Sequence, residues 1–211
     1  MKMFFFKSMS RSVHEEHHPS EIMTDGECTS LTVWKKSLLV SCNGFTVIDS
    51  NGNLVYRVDN YMRHNPHHEI ILMDSSGKSL LTIRRRKKLR LADGWLVFEG
   101  EDSAGPKLSK PKFCVRKHIK MLRGHNPNVL AYVYREATDK RHAAFVIEGS
   151  YTHRSCKVRD GSRRVVAEIK RKEDSKQGIS FGLEVFSLRV QPGFDPGFAM
   201  ALVLILDQMF S

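Results

Sequence analysis

The sequence predicts an all-β fold, a closed antiparallel barrel of about twelve strands that encloses one hydrophobic C-terminal α-helix. Short apolar runs recur at regular spacing between turn-forming residues, which is typical of β-meanders. A pattern of strand, Asp-x-x-Gly turn and strand also repeats along the chain. The last long apolar segment has the start signal of a helix, so we expect the strands to close around it.

The apolar runs locate the strands. Gly, Pro, Asn and Asp bound them, and these residues favour turns. Connections this short favour antiparallel hairpins, because parallel neighbours need a long crossover. The runs are residues 31–40, 45–48, 54–58, 70–73, 80–83, 95–98, 113–115, 129–134, 143–147, 165–169 and 183–190.

Two segments, residues 47–55 and 72–80, share the hairpin pattern. Each places Asp three residues before Gly, at Asp49 and Asp74. The Asp carboxylate can accept hydrogen bonds from the turn backbone, and Gly can adopt a positive φ. A looser copy passes through Asp160-Gly161. We interpret these segments as similar hairpins and not as homologous repeats.

The final segment reads as a helix over residues 196–210. Asp195 is a suitable N-cap, Pro196 suits the first helical position, and residues 198–206 are all apolar. Such a helix is roughly 20 Å long, whereas a bilayer core is about 30 Å thick. We therefore expect protein, not lipid, to surround it.

The chain is predicted to comprise an arm and one domain. Residues 1–29 are polar, rich in His and Ser, and lack apolar periodicity, which favours a mobile arm. Residues 30–211 carry the strand runs and the helix, and they are predicted to form a single barrel domain.

Four widely spaced cysteines, without a C-x-x-C pair, indicate reduced thiols. Neither a secretory signal nor a lipidation motif is recognisable. The sequence thus favours an intracellular, cytoplasmic protein without a transmembrane segment. Peripheral association with the plasma membrane, or association with the nucleus, is left open.

Basic residues exceed acidic ones, giving a net charge of +11, and residues 78–120 hold 13 basic and 4 acidic residues. This excess favours anionic partners such as phosphoinositides or acidic membrane lipid. Alternation in an extended strand would separate this run into two faces, so we expect a bulge or turn within it. The strongest candidate anion-binding residues are Arg84, Arg85, Arg86, Lys87, Lys88 and Arg90.

A second basic group contributes Lys110, Lys112, Arg116 and Lys117 as further candidates. It would join the first group if neighbouring hairpins pair. A solvated basic surface used only for solubility is the alternative. Nucleic acid is a weaker candidate, because the basic stretch lacks interleaved aromatic residues for base stacking.

Metal-binding patterns occur without supporting context. The sequence HEEHH at residues 14–18 has zinc-protease spacing but lies in the polar arm, directly before Pro19. His64, His67 and His68 form a second cluster in a predicted loop. We expect neither to be a metal site.

Enzyme motifs also lack context. The sequence GISFG at residues 178–182 resembles a hydrolase elbow, but a strand pattern follows it, and His153 is the last histidine. No P-loop or dinucleotide-binding fingerprint occurs. The sequence predicts a non-enzymatic protein with no catalytic residues and no cofactor.

Several ordered strings resemble the plant LURP-one-related family of the tubby C-terminal-like superfamily. They are LTVWKKSL (31–38), GFTV (44–47), YRVDNY (56–61), LTIRR (81–85), GSY (149–151), GISFG (178–182), VQPG (190–193) and ALVLILDQ (201–208). The resemblance implies a barrel threaded by its C-terminal helix, related in fold to phospholipid scramblases. It also implies a role in pathogen defence without established enzymatic activity.

Three functional hypotheses follow. The first is a module that binds phosphoinositide or acidic phospholipid head groups. Its basis is the charge of the basic run, together with the phosphoinositide binding of tubby domains in the wider superfamily. The second is a protein-interaction or membrane-tethered, transcription-linked factor with unidentified protein partners. The third is a scramblase-like, lipid-moving protein.

Overall fold

The computed structural model describes residues 26–39, 43–59, 69–88, 91–100, 110–119, 128–135, 142–172 and 182–211. These residues form twelve strands and one helix. The strands are β1 (Thr29–Trp34), β2 (Phe45–Ile48), β3 (Leu54–Val58), β4 (Glu69–Asp74), β5 (Ser79–Lys88), β6 (Leu91–Glu99), β7 (Phe113–Lys117), β8 (Val129–Tyr134), β9 (Phe145–Ser150), β10 (Ser155–Asp160), β11 (Val165–Arg171) and β12 (Val185–Val190), and the helix is α1 (Pro196–Phe210).

Each strand pairs antiparallel with the next one along the chain, and β1 also pairs with β12. At the closure, Val33 of β1 lies opposite Phe186 of β12 on one side and Val47 of β2 on the other. Closure leaves no strand edge open, which removes the unpaired backbone groups of an open sheet. The predicted closed barrel of about twelve strands is confirmed.

Helix α1 fills the barrel. Asp195 caps it by accepting a hydrogen bond from the N–H of Phe198. All residues from Gly197 to Asp207 are buried, and Leu204 and Leu206 have no exposed surface. The strands supply the surrounding inner face because side chains on a strand alternate between its two faces. The enclosed helix that the sequence predicts is confirmed.

The two ends of the barrel differ, and we name them after helix residues. The Asp195 end holds the start of α1 and the β2–β3, β4–β5 and β10–β11 hairpins. The Asp207 end holds the last turn of α1 and the β1–β2, β5–β6, β9–β10 and β11–β12 connections. Fifteen helical residues rise roughly 22 Å, so surface groups at the two ends are well separated.

The Asp-containing hairpins form as predicted, with one difference. Oδ1 of Asp49, of Asp74 and of Asp160 accepts backbone N–H groups two and four residues later. Gly52 and Gly77 take the positive φ in the first two hairpins. In the third, the corresponding residue is not Gly161 but Arg163, with φ of 63°. This hairpin therefore holds a non-glycine residue in the left-handed region.

Candidate functional site

The basic run of β5 does not form a single cationic face. Arg84 is on the outer face, where its Nε donates to Glu69 Oε1 over 2.7 Å. Its guanidinium carbon is 5.0 Å from the centre of the Phe98 ring. Glu69 offsets the charge of Arg84. Arg84 therefore attracts an external anion less strongly than its position in the basic run suggests.

Arg85 faces the barrel interior. It lies opposite Trp95 in the β5–β6 register, and its guanidinium carbon is 5.5 Å from the centre of that ring. Ile83, two residues earlier on the same face, is completely buried. The alternation of strand side chains thus directs Arg85 away from the outer surface.

Arg86 and Arg116 share the outer face. Gly94 of β6 lies between them, paired with Arg86 on one side and with Arg116 on the other. Two strand spacings separate their backbones by about 10 Å. Gly94 has no side chain, so it leaves the surface between the two arginines open. Arg116 lies over the ring of Tyr134 at 4.5 Å, whereas Arg86 is exposed and has no acidic partner among the described residues.

The β5–β6 register shifts between Arg86 and Lys88, which confirms the irregularity predicted for this run. Such a shift changes the direction in which the side chains at the end of the hairpin project. The side chains of Lys87 and Lys88, and the whole of Arg90, lie outside the described residues.

Most of the second basic group lies elsewhere. Lys110 and Lys112 are at the Asp195 end, and Lys112 Nζ is 3.6 Å from Glu99 Oε2. Lys117 faces inward, and its Nζ donates to the carbonyl oxygen of Met209 in the last turn of α1 over 2.9 Å. Of the four candidates in this group, only Arg116 joins the outer arginines of β5.

Exposed apolar side chains are distributed around the Asp207 end, which the sequence analysis did not predict. We call these five residues the apolar rim. They are the exposed large hydrophobic residues of the described chain, each more than two-fifths exposed: Trp34, Leu38, Leu39, Ile119 and Leu183. Trp34 is the last residue of β1, Leu38 and Leu39 follow that strand, Ile119 follows β7, and Leu183 precedes β12. The run at residues 31–40 contained a sequence signal for exposed apolar residues. Leu38 and Leu39 are adjacent, so they cannot both face the interior of one strand.

Cations border the apolar rim. Lys36 Nζ is 5.4 Å from the centre of the Trp34 ring, and Arg86 lies at the end of β5 that reaches the same end of the barrel. Acidic residues also lie at this end, since Asp59 follows β3, Glu69 begins β4 and Glu184 precedes β12. Lys117 faces inward and Arg154 is buried. The other described Lys and Arg residues at this end are at least partly exposed: Lys35, Lys36, Arg86, Arg116, Arg171 and Lys172. Apolar side chains within a basic border can enter the interface of an anionic bilayer while the cations contact its head groups.

The sequence model of the LURP-one-related family matches residues 29–207, which is most of the chain. The chain belongs to the LURP-one-related family. Protein LURP-one-related 17 of Arabidopsis thaliana is 51% identical, over 98% of this chain and 99% of its own length. Protein LURP-one-related 8 of the same plant is 49% identical, over 85% of this chain and 86% of its own length. An X-ray structure of an Arabidopsis thaliana protein, 24% identical, has a TM-score of 0.56 over 85% of this chain and 90% of its own, which supports the fold.

In the ranges that the structure describes, no helix has the length and apolar character needed to cross a bilayer. This agrees with the burial of α1 within the barrel.

A buried polar cluster lies at the end of the LURP-one-related helix. Asp207 is only 1% exposed, and its Oδ1 accepts hydrogen bonds from the Tyr151 hydroxyl at 3.1 Å and the Ser211 hydroxyl at 2.6 Å. Lys35 Nζ is 3.0 Å from the same oxygen. Burial is the main cause that raises the pKa of Tyr151 well above its usual value, and the Asp207 carboxylate raises it further. The Tyr151 hydroxyl therefore remains protonated and can donate. The lone Asp in an apolar helix was the sequence signal, because a buried carboxylate needs partners.

Arg154 connects this cluster to the apolar rim. It is 5% exposed, adopts φ of 51°, and lies over the rings of Tyr151 and Phe186 at 4.2 and 4.5 Å. Its Nε donates to the carbonyl oxygen of Leu183 over 2.9 Å. Sequence reasoning missed this residue, since nothing in the local pattern marks it as buried.

The sequence motifs of enzymes and metal sites fall largely outside the described residues. These are HEEHH at 14–18, the histidines at 64, 67 and 68, and residues 178–181 of GISFG. Within the described ranges, no group of three or more His, Cys, Asp or Glu side chains is placed to hold a metal ion.

Burial limits the reactivity of two of the three cysteines in the described residues. Cys28, Cys114 and Cys156 are free thiols, and only Cys28 is exposed. Burial raises the pKa of the Cys156 thiol to about 12. Cys156 is thus a protonated core residue at neutral pH.

Proposed function

We propose that this LURP-one-related barrel is a non-enzymatic module that binds acidic phospholipid membranes, including those with phosphoinositides, through its Asp207 end. The observation that carries the proposal is the coincidence of the apolar rim with the basic residues around Arg86 at one end of the barrel. Each cation near an anionic bilayer adds about 1 kcal/mol of attraction, and inserted apolar side chains add to it. A contribution to plant defence signalling is proposed from the family resemblance.

Trp34 makes the orientation measurable. The chain has two tryptophans, and Trp95 is 2% exposed inside the barrel, whereas Trp34 is 44% exposed on the apolar rim. If the Asp207 end meets the bilayer, brominated acyl chains will quench the fluorescence of Trp34. Trp95 provides a constant background, and Trp34→Phe removes the quenched signal.

Binding itself is tested by co-sedimentation with three kinds of vesicle: neutral, phosphatidylserine-containing and phosphoinositide-containing. One variant removes four basic residues at the β5–β6 hairpin. It keeps Arg84, which is paired with Glu69, and Arg85, which packs against Trp95. A second variant removes the same charge at the Asp195 end. The hairpin variant changes Arg86, Lys87, Lys88 and Arg90 to Ser, and the control changes Lys78, Lys110, Lys112 and Arg163 to Ser.

Selective loss of binding in the hairpin variant supports the proposal. Equal loss in both variants would mean that net charge alone drives association. Absence of binding to every vesicle would refute the proposal and favour the alternative, in which the apolar rim contacts a protein partner. Redistribution of labelled lipid between leaflets would instead indicate the scramblase-like role.

A further inference from the structure

A pocket of about 350 Å³ opens at the Asp195 end, opposite the proposed membrane-facing end. It lies between the first turn of α1 and the wall formed by β3 and β5–β9. At about 30 Å³ for a water-sized group, this volume suits a ligand with roughly a dozen non-hydrogen atoms. The size is at the lower end of the usual range for small-molecule pockets.

Aromatic side chains form its floor and walls. Phe113 stacks on Phe198 of the helix with their ring centres 3.9 Å apart. Phe145 lies 5.2 Å from Phe194 and 6.3 Å from Phe198, centre to centre. Leu81 and Phe198 are buried, so they close the bottom of the pocket. Mutual packing of the four rings fixes an apolar surface that remains open to solvent on one side.

The helix backbone leaves this space open through Gly197. A Cβ added there would lie 3.2 Å from Asp195 Oδ1 and 3.8 Å from the Tyr56 hydroxyl. Burial is the main cause that raises the pKa of Tyr56, and the Asp195 carboxylate raises it further. The Tyr56 hydroxyl is therefore a neutral donor at the pocket wall. The cavity therefore combines apolar walls with a hydrogen-bond donor, which is the usual composition of a ligand site.

Charged groups line the opening. Arg135 is exposed and has no acidic partner among the described residues. Lys112 is 3.6 Å from Glu99, but both side chains are largely exposed, so water weakens that pair. The Asp195 carboxylate is already engaged by the N–H of Phe198 at the positive end of the helix dipole. Arg135 and Lys112 are accordingly the groups available to a ligand head group.

We propose that this pocket binds a small amphipathic carboxylate, whose apolar body lies against the four phenylalanines and whose carboxylate contacts Arg135 and Lys112. The ligand class is a medium-chain aliphatic or an aryl carboxylate. This inference stands on the Asp195 end alone and does not depend on membrane binding.

Octanoate, with ten non-hydrogen atoms, is the probe, used below its micelle concentration with the full-length chain. Octylamine and octanol share its chain length but carry a cationic or neutral head group. Saturation-transfer NMR detects binding, and a titration gives Kd. We expect saturable octanoate binding with Kd on the order of 1 mM or tighter, and weaker binding of the other two.

Three variants test the geometry of the pocket. Arg135→Gln and Lys112→Gln are each expected to weaken octanoate binding about two- to fivefold, as partly exposed charges do. Leu80→Phe adds volume at the pocket wall and is expected to abolish binding. Arg189→Gln, an exposed charge on β12, is the matched control and should leave Kd unchanged. Unfolding curves confirm that each variant is folded.

Equal binding of octanoate, octanol and octylamine would overturn the assignment of a carboxylate site. If octanoate bound the Leu80→Phe variant as tightly as the original protein, this pocket would not be its binding site. No saturable binding would overturn the pocket as a ligand site. None of these outcomes bears on membrane association, which involves the opposite end.

Discussion

Lys35 Nζ lies 3.0 Å from Asp207 Oδ1, so the connection after β1 is ion-paired to the last turn of the enclosed helix. Asp207 is 1% exposed and the Lys35 side chain 27%. The helix end is thereby fixed to the barrel wall at the end that carries the apolar rim.

Lys35→Met is expected to lower the free energy of unfolding by about 2 kcal/mol, because it leaves a buried carboxylate with fewer partners. Urea denaturation measures the change. Lys36→Met, which affects the neighbouring exposed lysine over Trp34, should change stability by less than about 0.5 kcal/mol. If the two variants were equally stable, the Lys35–Asp207 ion pair would contribute nothing measurable to the free energy of unfolding.

Leu204→Ala is expected to cost about 2–5 kcal/mol, because Leu204 has no exposed surface and the rigid barrel cannot collapse onto the cavity. Leu204→Lys should abolish soluble folded protein, since it buries an unpaired charge. Chemical denaturation tests the first variant and solubility the second. A soluble, cooperatively unfolding Leu204→Lys protein would contradict the enclosed helix.

Arg163→Gly is expected to stabilise the protein by roughly 0.5–1 kcal/mol. Arg163 has φ of 63°, a conformation that costs a side-chain-bearing residue about 1–2 kcal/mol, and the flexibility of Gly offsets part of this gain. Thermal unfolding measures the shift. Gly52→Ala, at the matching position of the first hairpin, should destabilise, and a destabilising Arg163→Gly would show that the Arg side chain itself holds the turn.

Acid stability should depend on the turn carboxylates. The hydrogen bond from the Asn53 side chain is the main cause that lowers the pKa of Asp49 below its ordinary 3.8, and the Ser76 hydroxyl does the same for Asp74. Because the folded pKa is lower than the unfolded one, their contribution is present above about pH 4 and is lost as pH falls through the folded pKa. Asp49→Asn with Asp74→Asn should flatten the decline in unfolding free energy below pH 4. An unchanged slope would exclude these two carboxylates as its source.

Local patterns were sufficient for most elements. The runs at 45–48, 54–58 and 129–134 coincide with β2, β3 and β8, because apolar alternation and flanking turn residues act within a few positions. No apolar run marks β10, since its inward residues Cys156 and Val158 alternate with charged ones. Only the turn pattern at Asp160-Gly161 indicates a strand before it. β5 is longer than its run because pairing with β6 extends it to Lys88.

The candidate site was less predictable. Arg84 and Arg86 could be placed on one face by alternation, but the partner that offsets Arg84 lies fifteen residues away on β4. The gap that Gly94 leaves beside Arg86 depends on the β5–β6 register, which no local pattern determines. The aromatic pocket also draws residues from strands far apart in the sequence.

The sequence by itself determined the hairpin turns, the alternation of the strands and the apolar helix with its Asp195 cap, because these follow from interactions within a few residues. Only the tertiary structure decided which groups meet. Closure of the barrel brings Tyr151 to Asp207, 56 residues later, and the β5–β6 register places Arg85 beside Trp95. It also separates Lys112 from Arg86, since strand direction assigns each residue to one end of the barrel. Burial and ion pairing act across strands, so they depend on register and closure, which distant segments fix together.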